Sequence, residues 1–360
     1  MAQERWKPLG TLTPALQGLR VLEIAARSSA AFAGRLFADG GAEVTVIDVT
    51  EPAALGEHLR LYLDRGKRHI TLALDRPDSA QQVRALAVEH DLVVTDLDPR
   101  EIDRLGLPTL EGGRLRARVL ITPFGMTGPY RDRPATTATI LALSGHTFLL
   151  GEPGQPPLTL PGDYVGYQSA LFAYTAGISA LLQASRQGRT APRTVEVSEL
   201  EALASLHQHT TVQYTYGGHV RTRQGNRPDG GTYPYTILPC ADGWLGMCIV
   251  PAFWEPFAQW LGPQWLTDPR FADAVSRTKH ATELDQEIIA AVGGLTKIAL
   301  EDEGQRKRRV PVGAVRALAE VLDDPQLSAR GFWHDELVNG RLLRLPSSPY
   351  HFVGEADEPA

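Results

Sequence analysis

The chain has 360 residues, enough for two domains or one large discontinuous domain, and its content of 43% hydrophobic and 22% charged residues is ordinary for a globular protein. The net charge is −6, with Lys and Arg scattered along the sequence, which argues against nucleic acid or a membrane surface as the main partner. Cys240 and Cys248 have neither metal-ligand nor disulfide spacing, and the polar N-terminus does not resemble a signal peptide. We expect a cytoplasmic protein that is not inserted in a membrane.

Short apolar runs alternate with helical patterns through the first third of the chain. Strand patterns at 20–26 and 42–48 flank a helical pattern at 29–40, which is the order of a right-handed βαβ unit. The alternation then continues with strands predicted at 69–74, 91–96 and 119–123 and helices predicted at 79–88 and 100–105. The pattern predicts a large doubly wound, Rossmann-like α/β domain.

A dinucleotide site is not expected in this domain. The turn after the first predicted strand has the sequence Ala25-Ala-Arg-Ser-Ser-Ala-Ala31, without the Gly-x-Gly-x-x-Gly pattern that brings the backbone close to a pyrophosphate. The sequence also has no P-loop. We therefore expect no NAD.

Asp163 directly precedes a helical pattern at 164–184 that is rich in small residues. Small residues allow close approach of a neighbouring helix or of a ligand. A strand predicted at 194–197 and a helix with Ser198 and Glu201 in a capping-box arrangement follow. Asp is a favoured N-cap residue, but a carboxylate at a helix N-terminus also faces the positive end of the dipole, and carboxylates act as nucleophiles in enzymes with acyl intermediates. The local sequence leaves both roles open.

The character of the sequence changes after residue 220. A polar, glycine-bearing segment is followed by strand patterns at 233–239 and 244–250, and then by helical patterns at 253–261 and 283–300. We predict a smaller α+β domain at 225–310. It would lie between the two parts of the large domain, at 1–224 and 311–360.

Several short motifs occur in a fixed order almost to the C-terminus. They are residues 16–23, residues 36–44, Arg65-Gly-Lys-Arg68, Gly125-Met-Thr-Gly-Pro-Tyr130, Gly162-Asp163, Asp242-Gly-Trp244 and Asp324-Pro-Gln-Leu. Taken together they resemble the family III CoA-transferases, a group that includes formyl-CoA transferase and carnitine CoA-transferase and that is related to α-methylacyl-CoA racemase.

The resemblance implies an enzyme that moves coenzyme A from an acyl-CoA to a small carboxylic acid through aspartyl anhydride and aspartyl-CoA intermediates, with Asp163 as nucleophile and with no metal. It implies an interlocked homodimer, or a heteromer with a related chain. The glycines that it suggests for the oxyanion or for a covering loop are Gly145, Gly162, Gly230 and Gly231. The residues that it suggests for CoA binding are Arg27, Leu63, Lys67, Arg68, Asp96, Arg104, Leu105 and Gly125. Ordinary turns and a surface linker are the structural alternatives for the glycines, and a solvated basic turn is the alternative for Lys67 and Arg68.

The chain departs from the family pattern where CoA is expected to bind. Ser29-Ala-Ala31 replaces an Ala-Gly-Pro, Val46 and Val49 replace cationic residues, and Asp96-Leu-Asp-Pro-Arg100 replaces an Asn-x-x-Pro-Gly. These changes predict weaker contacts to CoA, by about 1–3 kcal/mol for each charged hydrogen bond lost.

Two alternatives to a transferase remain. A racemase needs a His as a second base, but Thr136 or Thr137 stands at the matching place, Thr236 replaces its supporting Glu, and His146 is out of register. A non-catalytic subunit of a heteromer would fit the altered CoA-binding positions. The presence of Asp163 favours the transferase.

Overall fold

The computed structural model describes residues 14–48, 56–187, 191–227 and 232–350. The chain forms two compact units. The first comprises Met1–Thr147, Thr159–Gly217 and Phe332–Ala360, and the second comprises Phe148–Leu158 and Gly218–Gly331. The second unit therefore includes residues 148–158, 218–224 and 311–331, which the sequence-based division assigned to the large domain.

A six-stranded parallel sheet forms the centre of the first unit. Its strands are β1 (Arg20–Ala25), β2 (Glu43–Asp48), β3 (Arg68–Thr71), β4 (Leu92–Thr95), β5 (Ala117–Thr122) and β6 (Arg193–Ser198). They lie in the order β3-β2-β1-β4-β5-β6, so the chain changes direction across the sheet between β1 and β4. In open α/β sheets, ligands bind beyond the carboxyl ends of the strands at such a change of direction. The prediction of a mixed α/β fold with a parallel sheet is confirmed.

The described residues up to Gly217 form nine α-helices. They are α1 (Ser28–Asp39), α2 (Glu57–Leu63), α3 (Ser79–Ala87), α4 (Pro99–Arg104), α5 (Thr137–Leu143), α6 (His146–Leu149), α7 (Tyr164–Gln187), α8 (Glu199–Ser205) and α9 (Gln208–Gly217). Apolar residues of α1 and α7 pack with β1, β4 and β5 in one core cluster, and those of α3 and α4 pack with β1, β2 and β4 in another. The helices α1 and α7 therefore cover one face of the sheet, and α3 and α4 cover the other.

The small residues of α7 allow it to pack closely on the sheet and on α1. Ala170 and Ala173 are completely buried, and a Cβ atom added at Gly177 would lie only 3.1 Å from the ring of Phe37. The Phe37 ring also contacts Tyr174 edge-on, at 4.8 Å between centroids. A larger side chain at these positions would push α7 away from the sheet and would move its first turn.

The second unit contains a three-stranded antiparallel sheet with short helices around it. Its strands β7 (Tyr235–Cys240), β8 (Gly243–Cys248) and β9 (Val312–Ala314) lie in that order. Its helices are α10 (Pro251–Leu261), α11 (Ala274–Lys279), α12 (Ala281–Val292), α13 (Lys297–Asp302), α14 (Leu318–Leu322) and α15 (Pro325–Ala329), with 3-10 turns at Pro263–Leu266 and Pro269–Phe271 and a π-helix at Glu303–Arg308. The single helix predicted at 283–300 is wrong: two helices occur instead, and Gly293 and Gly294 lie at the break.

The chain returns to the first unit with a hairpin of β10 (Trp333–Val338) and β11 (Arg341–Pro346). In the part of the chain that the structure describes, no helix combines the length and the apolar character needed to cross a membrane.

Candidate active site

Asp163 is the N-cap of α7. Its backbone carbonyl accepts the first helical hydrogen bond, from Tyr167 N at 3.1 Å, and its side-chain Oδ1 accepts one from Gly166 N at 3.2 Å. The capping role that the local sequence allows is therefore present. Capping uses only part of the carboxylate, because the two oxygens have about four acceptor positions between them.

Two hydroxyl groups from distant parts of the chain also donate to this carboxylate. Thr137 Oγ1 lies 3.1 Å from Oδ1, and Ser28 Oγ is in close hydrogen-bonding contact with Oδ2. Ser28 is the first residue of α1 and Thr137 is the first residue of α5, so the N-termini of three helices meet at Asp163. Helix N-termini carry unpaired N–H groups and a partial positive charge, which stabilise an anion.

Gly166 makes this arrangement possible. A Cβ atom at this position would lie 2.2 Å from Ser28 Oγ and 2.6 Å from Asp163 Oδ2. Neither atom belongs to a long flexible side chain, so the hydroxyl and the carboxylate would have to separate. The glycine in the first turn of α7 is therefore required for the contact between Ser28 and Asp163.

Asp96, at the end of β4, fixes the turn that carries Ser28. Its Oδ1 accepts from the backbone N–H groups of Ala26 (2.7 Å) and Arg27 (3.1 Å), and its Oδ2 accepts from Ala30 N (2.8 Å) and Ser29 Oγ (3.0 Å). Asp96 is only 1% exposed, and burial raises the pKa of its carboxyl even though Arg27 and the three backbone donors act against the shift. The Asp96 carboxylate therefore stabilises the turn before α1. This geometry does not support the predicted contact of Asp96 to CoA.

Arg27 and Glu199 complete the buried network. Arg27 Nη1 lies 2.9 Å from Glu199 Oε2, and Arg27 Nε donates to the carbonyl of Asp96. Ser29 Oγ also lies 3.0 Å from Glu199 Oε1, so Asp96 and Glu199 share its single hydroxyl proton. Burial raises the pKa of the Glu199 carboxyl, and Arg27 opposes this shift. The guanidinium of Arg27, which we predicted to bind CoA, is thus already paired at the start of α1. The network connects β1, β4 and α8 beneath Asp163.

Gly125 lies in a loop at the carboxyl end of β5. It has a positive φ of 89° and Gly128 one of 90°, so both fit the turn without strain. Glu196 of β6 accepts a hydrogen bond from Met126 N at 2.7 Å and thereby fixes the loop. The loop and β6 line a cavity of about 330 Å³, with Tyr130 in its wall. Of the residues predicted to bind CoA, Gly125 is the one that lines this cavity.

We predicted that Lys67 presents its charge to a phosphate of CoA. In the structure the side chain does not do so. Its ammonium is fully buried, 2.6 Å from Glu23 Oε2 and 2.7 Å from the carbonyl of Ala31. Gly66, with a φ of 76°, reverses the chain before Lys67, whose side chain then extends beneath α1. Burial raises the pKa of Glu23 to about 7, against the opposing effect of Lys67.

Three more of the predicted CoA contacts are placed in the interior or in ion pairs. The side chains of Leu63 and Leu105 are completely buried in the cores on the two faces of the sheet. Arg104 pairs with Glu101 at 2.7 Å and donates to the carbonyl of Leu74 at 2.8 Å, so it connects α4 to the segment before α3. Arg68 is exposed, and its Nη2 lies 3.4 Å from Thr45 Oγ1 at the start of β3.

The predicted glycines have different positions. Gly162 is exposed, has a φ of 70° and immediately precedes Asp163. Gly145 N already donates to the carbonyl of Ala142 at 3.3 Å, so this N–H group is used at the end of α5. Gly230 and Gly231 lie outside the described residues.

Sequence reasoning missed the two hydroxyl partners of Asp163. Ser28 follows the carboxyl end of β1, where ligand-binding residues of α/β sheets gather, and this placement was a usable signal. For Thr137 the available signal was different, because Thr136 or Thr137 stands at the place of the racemase's His. A pair of histidines near the first turn of α7 was also missed: His207 Nε2 lies 3.0 Å from His146 Nδ1, and the pKa of each ring is lowered by burial.

The sequence profile described as CoA-transferase family III matches residues 16–358. The chain belongs to CoA-transferase family III. Within the described residues, no group of three or more His, Cys, Asp and Glu side chains is arranged to hold a metal ion.

Relatives with assigned activities cover most of the chain. It is 30% identical to the succinyl-CoA–D-citramalate CoA-transferase of Chloroflexus aurantiacus, over 88% of this chain and 82% of that protein. It is 28% identical to the succinyl-CoA:(R)-benzylsuccinate CoA-transferase subunit BbsE of Thauera aromatica, over 89% and 84% of the two chains. The crystal structure of a CaiB/BaiF family protein from Brucella suis has the same fold, with a TM-score of 0.84 at 24% identity over 96% of this chain and 94% of that one.

Proposed function

We propose that the protein transfers coenzyme A between an acyl-CoA and a carboxylic acid, with the carboxylate of Asp163 as the covalent nucleophile. The observation that carries the proposal is the set of hydrogen bonds to this carboxylate. An N-cap needs only one acceptor oxygen. Asp163 also accepts hydrogen bonds from the hydroxyl groups of Ser28 and Thr137, which lie on two other helices. The family to which the chain belongs supports CoA transfer.

The proposed reaction consists of four successive substitutions at carbonyl carbons. Asp163 attacks the donor thioester, the C–S bond breaks, and CoA leaves as the thiolate. The thiolate then attacks the aspartyl carbonyl of the anhydride, which releases the donor acid and leaves an aspartyl-CoA thioester. The acceptor carboxylate displaces CoA from this thioester to form a second anhydride, and the thiolate attacks its acceptor carbonyl. The new acyl-CoA departs and the Asp163 carboxylate is restored.

Each substitution passes through a tetrahedral oxyanion that requires nearby hydrogen-bond donors. The hydroxyl groups of Ser28 and Thr137 already point at the Asp163 oxygens, one of which becomes the carbonyl oxygen of the anhydride. The backbone N–H groups of Gly162 and of the first turn of α7 are further donors in this proposal. No metal is needed to stabilise the charge in such a scheme.

The proposal extends to an interlocked dimer of two identical chains. In the single chain, the long α7 exposes Leu171, Phe172 and Leu182, and α9 exposes Tyr214 and Tyr216. Large apolar side chains exposed on two helices are typical of a surface that a partner covers. Light scattering at micromolar concentration tests this part. A mass of two chains supports it, and a monomer, or a species that forms only with a related chain, contradicts it.

Two substitutions at Asp163 test the nucleophile. Asn caps helices nearly as well as Asp, whereas Ala costs about 0.5–2 kcal/mol. We expect Asp163→Asn and Asp163→Ala both to lose CoA transfer, because neither side chain forms an anhydride, while the Asn variant keeps a melting temperature close to that of the wild type. An Asn variant that turns over normally, with deamidation excluded by mass, would show that Asp163 is only a cap.

A further inference from the structure

A buried serine hydroxyl lies between two carboxylates in the network beneath Asp163. Ser29 Oγ lies 3.0 Å from Asp96 Oδ2 and 3.0 Å from Glu199 Oε1, and each of these three residues is at most 5% exposed. A hydroxyl group has only one proton to donate. If both carboxylates are ionised they must share this proton, and one of the two contacts then brings oxygen lone pairs together without a proton between them.

Asp96 already uses all the acceptor positions of its carboxylate. Its Oδ1 accepts from the backbone N–H groups of Ala26 and Arg27. Its Oδ2 accepts from the N–H group of Ala30 and from the Ser29 hydroxyl. An ionised carboxylate has about four acceptor positions, so a proton on either oxygen would displace one of these donors. Asp96 is therefore the ionised carboxylate, and the Ser29 proton points to it.

Glu199 has far fewer hydrogen-bond donors around it. Its Oε2 accepts from Arg27 Nη1 at 2.9 Å, and among the described residues no backbone N–H group donates to either of its oxygens. Because the Ser29 proton is directed at Asp96, Glu199 Oε1 faces a lone pair of the hydroxyl oxygen. A proton on Oε1 removes this repulsion, since Glu199 then donates to Ser29 and Ser29 donates to Asp96.

The charges of the network favour the same state. Within the described structure, the charged groups that act on Glu199 are Arg27 and Asp96. One guanidinium would therefore face two ionised carboxylates, and an uncompensated buried charge is costly. Burial raises the pKa of the Glu199 carboxyl, Arg27 opposes this shift and Asp96 adds to it. Protonation of Glu199 makes the buried network neutral.

We infer that Glu199 is a positioning residue that holds a proton for the turn before α1 and thereby keeps Ser28 in contact with Asp163. The inference rests on the proposed function, because it concerns a donor to the nucleophile. Ser28 and Ser29 are the first two residues of α1, and the Ser28 hydroxyl contacts Asp163 Oδ2. When Glu199 loses its proton to solvent at higher pH, Ser29 is repelled by one of its two carboxylate neighbours, and the turn moves Ser28 away from Asp163. The protonated network is therefore the active one.

Replacing Glu199 by its amide distinguishes a protonated side chain from an ionised one. The Glu199→Gln side chain donates an N–H to Ser29 and accepts from Arg27, as a protonated Glu199 does. We expect this variant of the full-length protein to melt at or above the temperature of the wild type at pH 7. If Glu199 is instead ionised and stabilised by Arg27, the variant melts at a lower temperature, and this result overturns the inference.

The pH dependence of the melting temperature has a defined sign. Because the pKa of Glu199 is raised above its ordinary 4.5, the folded wild type binds more protons than the unfolded chain between the two values. The wild type should therefore lose stability relative to Glu199→Gln as pH rises from 4.5 to the pKa of the folded state. Glu23 contributes equally to both proteins and cancels in the comparison. A difference in melting temperature that does not change with pH contradicts the protonated state.

Infrared difference spectra detect the proton without any turnover. The spectrum of the wild type at pH 7, minus that of Glu199→Gln, should contain the carbonyl band of a protonated carboxyl group. Glu201→Gln is the matched control, because Glu201 is an exposed carboxylate in the same first turn of α8. Its spectrum should retain the band. If the band is absent from the wild type, Glu199 is ionised and the inference fails.

The pH profile of kcat connects the proton to the reaction. We expect kcat of the wild type to fall by about 10- to 100-fold as pH rises through the pKa of Glu199, the loss expected when Ser28 no longer donates to Asp163. Glu199→Leu should have the low kcat throughout, and Glu199→Gln should restore most of the activity and lack the alkaline fall. A Glu199→Gln variant with the pH profile of the wild type overturns the positioning role.

Failure of this inference is distinguishable from failure of the proposed function, because the infrared and melting measurements need no CoA. A protein that forms the CoA adduct on Asp163 but lacks the carboxyl band overturns the inference and leaves the nucleophile intact. A protein that shows the band, and whose Glu199→Gln variant is stable, but that transfers no CoA supports the proton on Glu199 and contradicts the proposed function.

Discussion

The ammonium of Lys67 lies 2.6 Å from Glu23 Oε2, and neither side chain is exposed to solvent. Their contact joins β1 to the turn before β3. Removing one partner of a buried pair leaves the other charge without compensation, whereas replacing both with apolar side chains is often nearly neutral. We predict that Lys67→Met destabilises the protein by about 3–5 kcal/mol, and that Glu23→Met/Lys67→Met recovers most of the loss. Urea denaturation of the wild type, both single variants and the double variant measures the coupling. If the losses of stability in the two single variants add up in the double variant, Glu23 and Lys67 are not coupled and the prediction is wrong.

The same pair predicts a dependence of stability on pH. The pKa of Glu23 rises from its ordinary 4.5 to about 7 in the folded protein, so between these values the folded state binds more protons than the unfolded state. The free energy of unfolding should therefore fall as pH rises from 4.5 to about 7, at a rate of at most about 1.4 kcal/mol per pH unit. Glu23→Met/Lys67→Met should lack this contribution. If the two proteins show the same pH profile, Glu23 does not titrate as described.

The Asp96→Asn variant tests whether Asp96 stabilises the turn before α1 or contacts CoA. In the wild type, the donors around Asp96 bind two carboxylate oxygens, whereas an Asn side chain offers only one acceptor oxygen. Each buried donor that is left unpaired costs about 1–3 kcal/mol. We predict that Asp96→Asn lowers the melting temperature markedly. An Asp96→Asn variant with an unchanged melting temperature and a raised KM for acyl-CoA would restore the contact to CoA that the sequence suggested.

Much of the first unit was predictable because its signals are local. The buried strands β1, β2, β4 and β5 appear as short apolar runs, and Ser198 caps α8 as its spacing with Glu201 predicted, accepting from Glu201 N at 3.3 Å. The direction of the Lys67 side chain was not predictable, because it depends on Glu23, a residue of β1 that is distant in the sequence. The hydroxyl group of Ser28 meets Asp163 across 135 positions of sequence, and periodicity contains no information on such a contact.

The glycine in the first turn of α7 should be essential for activity. Gly166→Ala places a Cβ 2.2 Å from Ser28 Oγ, so the hydroxyl and the Asp163 carboxylate must move apart. We predict a large loss of kcat, because a displacement of about 1 Å at a reacting group costs about 100-fold. Gly217→Ala, at a helical glycine with no neighbour within 4 Å of the added atom, is the control and should leave kcat unchanged. An active Gly166→Ala variant would show that the contact is dispensable.

The two hydroxyl groups should contribute separately to the reaction. Ser28→Ala and Thr137→Val each remove one donor from Asp163, and a lost hydrogen bond to a charged group corresponds to about 1.5–3 kcal/mol, or a fall of about 10- to 100-fold in kcat. Thr137→Ser retains a hydroxyl and should restore most of the activity. A Thr137→Val variant with the kcat of the wild type would show that the hydroxyl group of Thr137 is dispensable.

Covalent modification of Asp163 is the most direct measurement of the central claim. The wild-type protein is incubated with succinyl-CoA, quenched in acid and digested, and the peptide that contains Asp163 is analysed by tandem mass spectrometry, with the Asp163→Asn variant in parallel. We predict a CoA thioester on the side chain of Asp163 in the wild type and none in the variant. Transfer of CoA to an acceptor acid without any adduct on Asp163, or with the adduct on a different residue, would contradict the account.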